Sequence, residues 1–185
     1  MMMAEMPDIT GLLSAVKRGH TGAEEELFSR LYGDLRHLAH NRLRRSKPCT
    51  LLETTALVHE AYLRLHQAGY VQIADRSHFL AYAARAMRSV VVDVVRKRGL
   101  ARRVDADANA LPDPSSLPSG ESEILRVDQA LRELAGMSER LVKIVEMRYF
   151  GGMKETEIAD VLSLTERTVR RDWEKARMIL AAALK

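Results

Sequence analysis

The sequence predicts an all-α protein made of two small helical domains joined by a flexible acidic linker. Apolar residues recur at helical spacing in nearly every segment, and strict alternation of apolar and polar residues is almost absent. A chain of 185 residues is long enough for two such domains. Residues 105–123 carry five acidic side chains, no basic one and three of the five prolines, so they cannot sustain a helical period. The predicted units are therefore a domain at 1–104, a linker at 105–123 and a domain at 124–185.

Four helices are predicted in the first domain. Each has an apolar stripe at the spacing of a helix that buries one face. Glycine ends the first and the third, Pro48 breaks the chain after the second, and Ser77 is the predicted N-cap of the fourth. In chain order, the helices are predicted over about residues 9–19, 22–43, 53–69 and 78–99.

The fourth predicted helix has a strongly basic end. Residues 85–103 contain seven Arg or Lys residues against one acid, Asp93. The stripe from Phe79 to Val94 is predicted to be buried, which leaves the charged side chains to solvent or to a polyanion such as DNA. A solvated helix face is the alternative for this segment taken alone. The predicted outward residues are Arg85, Arg88, Asp93, Arg96 and Lys97.

The C-terminal domain is predicted to begin with two helices. An amphipathic helix covers about residues 124–135, and Ser138 is placed to cap the next one. This second helix ends at the glycine pair 151–152, and its predicted core stripe is Leu141, Ile144, Val145 and Tyr149.

Residues 153–180 contain a helix-turn-helix pattern. A short helix over 155–162 is followed by a turn at Ser163-Leu164, and Thr165 is placed to cap a second helix. In such a unit the second helix enters the major groove with its N-terminal side chains on the base edges. A charged, solvent-facing helix in a bundle that binds no DNA is the alternative. The predicted DNA-contacting residues are Thr165, Glu166, Arg167, Thr168, Arg170, Arg171, Lys175 and Arg177.

Three segments together resemble one protein family. LVKIVEMRYFGGMKETEIADVLSLTERTVRRDWEKAR (141–177) strongly resembles the C-terminal domain of bacterial RNA polymerase sigma factors of the extracytoplasmic-function (ECF) type. FLAYAARAMRSVVVDVVRKRG (79–99) is similar to the helix of these proteins that captures and melts the minus-ten promoter element, and ALVHEAYLRL (56–65) resembles their polymerase-docking helix. The resemblance implies a dissociable subunit that directs core RNA polymerase to promoter DNA, with the C-terminal domain on the minus-thirty-five duplex.

The resemblance also implies roles for residues of the first domain. This domain would dock on a coiled coil of the largest polymerase subunit and read single-stranded non-template DNA, while the linker would thread toward the RNA-exit path. A plain surface loop is the alternative for residues 69–76. The implied docking residues are Glu53, Ala56, His59, Glu60 and Arg64. The implied minus-ten residues are Tyr70, Gln72, Asp75, Arg76, Arg85, Arg88, Arg96 and Lys97.

The start of the docking helix departs from the family pattern. Sigma factors of this class commonly carry a cluster of acids there, whereas this chain reads Glu53-Thr54-Thr55-Ala56. A phosphate carries about −1.5 to −2 charges at neutral pH, enough to replace the missing acids, and the helix dipole favours negative charge in the first turn. Thr54 and Thr55 are therefore candidate sites for a Ser/Thr kinase, with Thr50 less well placed. Simple N-capping threonines are the alternative, and control by an anti-sigma protein stays open.

Other classes of protein are less well supported by the sequence. His59-Glu60 lacks the second histidine of a zinc-protease helix and no phosphate-binding glycine loop is present, so we expect no catalytic residue, cofactor or metal. The single cysteine, Cys49, is predicted to be a packing residue. No apolar run approaches the roughly 18 residues that span a bilayer, so a cytoplasmic protein without a membrane partner is expected. The remaining alternative is a conventional helix-turn-helix regulator whose first domain senses a ligand or partner.

Overall fold

The computed structural model describes residues 8–45, 52–70, 73–105 and 119–185 of the chain. In these ranges all regular structure is helical, so the predicted all-α class is confirmed. The helices are α1 (Ile9–Lys17), α2 (Ala23–Arg45), α3 (Thr54–Gln67), α4 (Arg76–Asp105), α5 (Ser119–Met137), α6 (Glu139–Val145), a π-helical turn (Glu146–Phe150), α7 (Glu155–Leu162) and α8 (Glu166–Ala183).

The predicted starts of two helices, α4 and α5, are wrong. Asp75, not Ser77, caps α4: its Oδ1 accepts a hydrogen bond from the backbone N–H of His78 at 2.9 Å, and Ser77 lies inside the helix. Helix α5 begins at Ser119, so the last part of the predicted linker is helical. Glu121, assigned to that linker, is only 4% exposed. The break at Pro48 and the packing of Cys49 fall outside the described residues.

The predicted caps of the C-terminal helices are present. The side chain of Ser138 accepts a hydrogen bond from Leu141 N at the start of α6, and that of Thr165 accepts one from Thr168 N at the start of α8. Such caps satisfy backbone donors that have no partner within the helix, which explains why the local sequence locates these two starts well.

The apolar core runs without a break between the two predicted domains. A single cluster of buried side chains contains Leu31 and Phe79 from the N-terminal helices together with Leu131, Leu134 and Ala176 from α5 and α8. Helix α4 contacts α5, the π-helical turn and α7 in addition to α2 and α3. The domain boundaries stay a prediction, but the two halves pack against each other.

The π-helical turn changes which aromatic side chain is buried. Gly151 N donates to Glu146 O at 2.9 Å across five residues, so one additional residue is accommodated in this turn. As a result Phe150 is 5% exposed and Tyr149 is 43% exposed, and the prediction of Tyr149 in the core stripe is wrong. The guanidinium of Arg42, on α2, lies 4.5 Å from the centre of the Phe150 ring. The turn therefore supplies an aromatic contact between the two halves.

Glycine at position 151 is required by the close backbone of this turn. A Cβ added there would lie 2.5 Å from Met147 O, whereas one added at Gly136, inside α5, would meet nothing within 4 Å. We expect Gly151→Ala to lower the free energy of unfolding by about 1–3 kcal/mol because the backbone must shift. We expect Gly136→Ala to leave it unchanged or raise it by up to about 1 kcal/mol. Urea unfolding of the two variants measures both changes; equal effects would contradict the tight turn.

Candidate nucleic-acid interface

Helices α7 and α8 form the helix-turn-helix. Ser163 ends α7 in the left-handed conformation, with φ 53° and ψ 46°, and Leu164 N donates to Ala159 O at 2.8 Å. Ile158 and Val169 are fully buried between the two helices. This tight connection fixes the direction of α8. The side chains that its first two turns present to solvent are Glu166, Arg167, Arg170 and Arg171.

The cations on α8 differ in what they contact. Arg167 is exposed and has no hydrogen bond or ion pair within the described part of the chain. Arg170 donates to Glu155 Oε2 at 3.0 and 2.8 Å, and Arg171 lies 3.4 Å from the buried carboxylate of Asp172. Of the other predicted DNA-contacting residues, Thr168 is half-buried beside Thr165, and the remaining exposed ones are Glu166, Lys175 and Arg177.

Glu155 positions Arg170 from the first helix of the motif. The hydrogen bonds from Arg170 and then Arg148 hold the pKa of the Glu155 carboxyl below its usual range. Arg148 Nη1 lies 2.6 Å from Glu155 Oε1, and its guanidinium is 5.2 Å from the centre of the Trp173 ring. Arg170 is therefore held in place on the outer surface before any ligand binds, a feature that sequence spacing did not reveal.

The C-terminal half covers one part of the basic face of α4, around Arg88. Arg88 Nη1 lies 2.6 Å from Asp128 Oδ1 and its Nη2 lies 2.8 Å from Glu146 Oε1, and the side chain is 17% exposed. Arg96 Nη2 lies 2.7 Å from Asp128 Oδ2. The prediction that Arg88 faces solvent or DNA is wrong for this structure, because two carboxylates from distant helices occupy its donors. Arg85, Arg96 and Lys97 stay exposed as predicted.

Helix α3 presents most of the predicted docking residues. Glu53, Ala56, His59 and Glu60 are exposed. Arg64 differs, because it donates to Ser89 Oγ at 2.6 Å and to Asp93 Oδ2 at 2.7 Å on α4. It therefore ties α3 to α4. Asp93 faces outward as predicted, with 42% of its side chain exposed, and it also pairs with Arg64.

A comparison of the chain with models of known protein families identifies the family to which it belongs. The family model described as ECF sigma factor matches residues 6–185, which includes α3, α4 and the helix-turn-helix. The chain belongs to the ECF sigma factor family. It is a sigma factor that directs core RNA polymerase to promoters and takes part in the initiation of transcription. A comparison with curated proteins found no match. The alternative of a conventional regulator is not favoured, since the match spans both halves.

The loop before α4 is more closed than the resemblance implied. Tyr70 is 3% exposed and adopts φ 57°, and its hydroxyl donates to Glu24 Oε1 at 2.8 Å. Asp75 caps α4, and Arg76 Nη2 lies 2.7 Å from Asp34 Oδ1. Gln72 falls outside the described residues. Tyr70 is therefore a packed residue of this sigma factor rather than an open platform for a base.

Two further features of the sigma factor were missed by sequence reasoning. A groove of about 710 Å³ opens between α5, the π-helical turn and α8, lined by apolar side chains such as Leu131, Trp173 and Met178. Exposed apolar surface of this kind is typical of a protein-binding site.

Within the described residues, no helix is long and apolar enough to cross a membrane, and no group of three or more side chains is arranged to hold a metal ion.

Glu24 is the second feature and joins α2 to α3. Its Oε1 accepts hydrogen bonds from Tyr62 and Tyr70 at 3.0 and 2.8 Å and lies 2.6 Å from His66 Nδ1. Burial acts to raise the pKa of Glu24, but the hydrogen bonds from His66, Tyr70 and Tyr62 outweigh it and lower the pKa below 4.5. Burial and the same carboxylate raise the pKa of Tyr62 to about 12.

The lowered pKa of Glu24 predicts a pH-dependent contribution to stability. The charged carboxylate stabilises the fold fully above the unfolded-state pKa of about 4.5, and this contribution is lost as the pH falls through the lower folded-state value. At pH 7 we expect Glu24→Gln to lower the free energy of unfolding by about 1–2 kcal/mol. Urea unfolding between pH 7 and pH 3 should show this difference shrink below pH 4.5, with the exposed neighbour variant Glu25→Gln as the control. A difference that stays constant with pH would contradict the assignment.

Proposed function

We propose that this sigma factor binds its partners through three separate surfaces of its own. The exposed face of α3 contacts core RNA polymerase, the basic face of α4 contacts the promoter where it opens, and the first two turns of α8 read the minus-thirty-five duplex. The observation that carries the proposal is the start of α8, where Thr165 caps a helix whose exposed Arg167 has no partner among the described residues. Run-off transcription with purified core polymerase tests the proposal as a whole.

The reading of bases by α8 is supported by the chemistry of its arginines. A guanidinium can donate two parallel hydrogen bonds to the O6 and N7 atoms of guanine, whereas an ammonium acts more as a point charge. Arg167 is accessible for such a pair, and Arg170 is already oriented by Glu155. Lys175 lies two turns further along α8 and is better placed for a phosphate.

Arg167→Ala should relax promoter selection at one position. Losing a base-reading arginine costs about 1–3 kcal/mol of binding free energy at that position. Lys175→Ala should instead weaken binding to all DNA sequences alike, and the salt dependence of binding should fall by about one released counterion. Selection from a library of promoters with a randomised upstream element, followed by run-off transcription, measures both effects. Unchanged selection by Arg167→Ala would exclude this residue as a reader of bases.

The start of α3 supports the proposal of phosphorylation at Thr54 or Thr55. No acid lies in the first turn of α3, and Glu53 makes no side-chain capping hydrogen bond. Thr55 is exposed and Thr54 is half-buried, so Thr55 is the more accessible hydroxyl. A phosphate there would add negative charge to a surface that contains only two exposed acids, Glu53 and Glu60, among the proposed docking residues. A Ser/Thr kinase is the partner this implies.

Added charge at this turn should strengthen polymerase binding. We expect Thr55→Glu, and more weakly Thr54→Glu, to raise the affinity for core polymerase in a salt-sensitive way, because complementary charge speeds association. Thr10→Glu adds the same charge to the first turn of a different helix, α1, and should have no effect. The affinity for core polymerase and the yield of run-off transcription are measured for each Glu variant and for the matching Ala variant. Full activity of the unmodified protein, undiminished in Thr54→Ala and Thr55→Ala, would exclude the switch.

A further inference from the structure

We infer that Glu155 sets part of the base specificity of the helix-turn-helix, because it orients Arg170 toward a guanine and offsets the charge with which Arg170 would otherwise bind a phosphate. This inference rests on the proposed reading of the minus-thirty-five duplex by α8. It adds that a residue outside α8 acts on the bases through Arg170, and it names the base that this arginine recognises. Glu155 is thus a positioning residue of the DNA interface.

The pair between Glu155 and Arg170 leaves one edge of the guanidinium free. Nε and Nη2 of Arg170 both donate to Glu155 Oε2, at 3.0 and 2.8 Å. A guanidinium has five N–H donors, so the outer N–H of Nη2 and the two of Nη1 have no partner within the described residues. The side chain of Arg170 is 62% exposed and that of Glu155 is 18% exposed. The arginine is therefore the part of the pair that a ligand can reach.

Glu155 is itself held from its other side. Its Oε1 accepts a hydrogen bond from Arg148 Nη1 at 2.6 Å, and the Arg148 guanidinium lies 5.2 Å from the centre of the Trp173 ring. Trp173 packs against two buried apolar clusters. A chain of contacts thus connects Arg170 to the core of the protein, and it restricts the rotamer of the carboxylate that orients this arginine.

Glu155 is the acid that acts most strongly on Arg170. The hydrogen bond to Glu155 is the largest cause of the raised pKa of the Arg170 guanidinium, whereas Glu166 and Glu174, one turn before and after it on α8, add weaker charge attraction. Arg167 has no hydrogen bond or ion pair within the described part of the chain. The two arginines therefore differ, since one is oriented before DNA binds and the other is free to move.

The free edge of Arg170 fits guanine better than the other bases or a phosphate. In the major groove guanine presents two neighbouring acceptors, O6 and N7, whereas adenine and cytosine present a donor and thymine presents one acceptor and a methyl group. A phosphate also offers several acceptors, but its charge would be repelled by the nearby carboxylate of Glu155. An arginine that is already paired also gains less from the release of counterions that drives phosphate binding.

Glu155→Gln should weaken base selection and strengthen non-specific binding at the same time. A mobile arginine must be ordered when it binds, so the preference for guanine at the Arg170 position should fall about two- to tenfold. The freed guanidinium can contact a phosphate instead. The affinity for DNA without the promoter element should therefore rise, and the slope of log affinity against log salt should steepen by about 0.9. A general loss of structure would not raise any affinity.

Duplex binding is measured by fluorescence anisotropy at several salt concentrations, with each base of the upstream element varied in turn. The control Asp160→Asn removes an exposed acid from α7, the helix of Glu155, and gives the same change in net charge. It should leave the preference for guanine unchanged. A folded Glu155→Gln variant that selects bases like the wild type, or that loses selection no more than Asp160→Asn does, would overturn the inference.

A double variant tests whether Glu155 acts through Arg170. Arg170→Ala should remove the preference for guanine, and Glu155→Gln should then change base selection no further, because the two residues act as one unit. Two results would contradict this route: a preference for guanine that survives Arg170→Ala, or an effect of Glu155→Gln on base selection that persists in the Arg170→Ala background.

The wild type tests the orientation of Arg170 without any substitution. In isotope-labelled protein without DNA, the Nε–H group of Arg170 should have a higher order parameter than that of Arg167, because it is hydrogen-bonded to Glu155. Equal order at the two groups would exclude the orientation. The proposed function is judged separately. A wild type that selects no base in the upstream element overturns the proposed reading by α8, whereas selection that depends on Arg167 but not on Arg170 or Glu155 overturns only this inference.

Discussion

Arg88 is the charge on which the joint between the two halves depends. It projects from α4 into a site formed by Asp128 and Glu146, and all three side chains are largely buried. Buried ions are tolerated only when their partners are close and well oriented. This requirement fixes how α5 and the π-helical turn lie on α4, and through them the position of the helix-turn-helix. The same arginine is therefore part of the packing between the two halves.

The π-helical turn shows how one additional residue in a helix alters an interface. A regular α-helix would place residue 149 on the buried stripe, four residues after Val145. The wider turn places Phe150 there instead, against Arg42. It also brings Gly151 so close to Met147 O that a side chain has no room. Backbone geometry thus selects both the aromatic contact and the glycine that follows it.

Several charged residues of this sigma factor hold the fold together as well as lying near functional surfaces. Arg64 links α3, the helix proposed to contact polymerase, to α4 through Asp93. Glu24 accepts hydrogen bonds from Tyr62 on α3 and from Tyr70 after it. Glu155 orients Arg170 on the helix-turn-helix. Exposed ion pairs add little to stability, but they restrict rotamers and so define the direction in which a cation points. Positioning of this kind orients side chains on the proposed polymerase and promoter surfaces before either partner binds.

The sequence by itself determined the helical class, the caps at Ser138 and Thr165, the helix-turn-helix and the family resemblance, because these depend on residues within one or two helical turns of each other. It did not determine which charges pair: Arg88 is 40 residues from Asp128 and 58 from Glu146, and Tyr70 is 46 from Glu24. A periodic pattern tells which face of a helix is polar, but not whether that face meets water, DNA or another helix. Only the tertiary structure decided this for α4, because burial of the matched acids on Arg88 requires the two halves to be in contact.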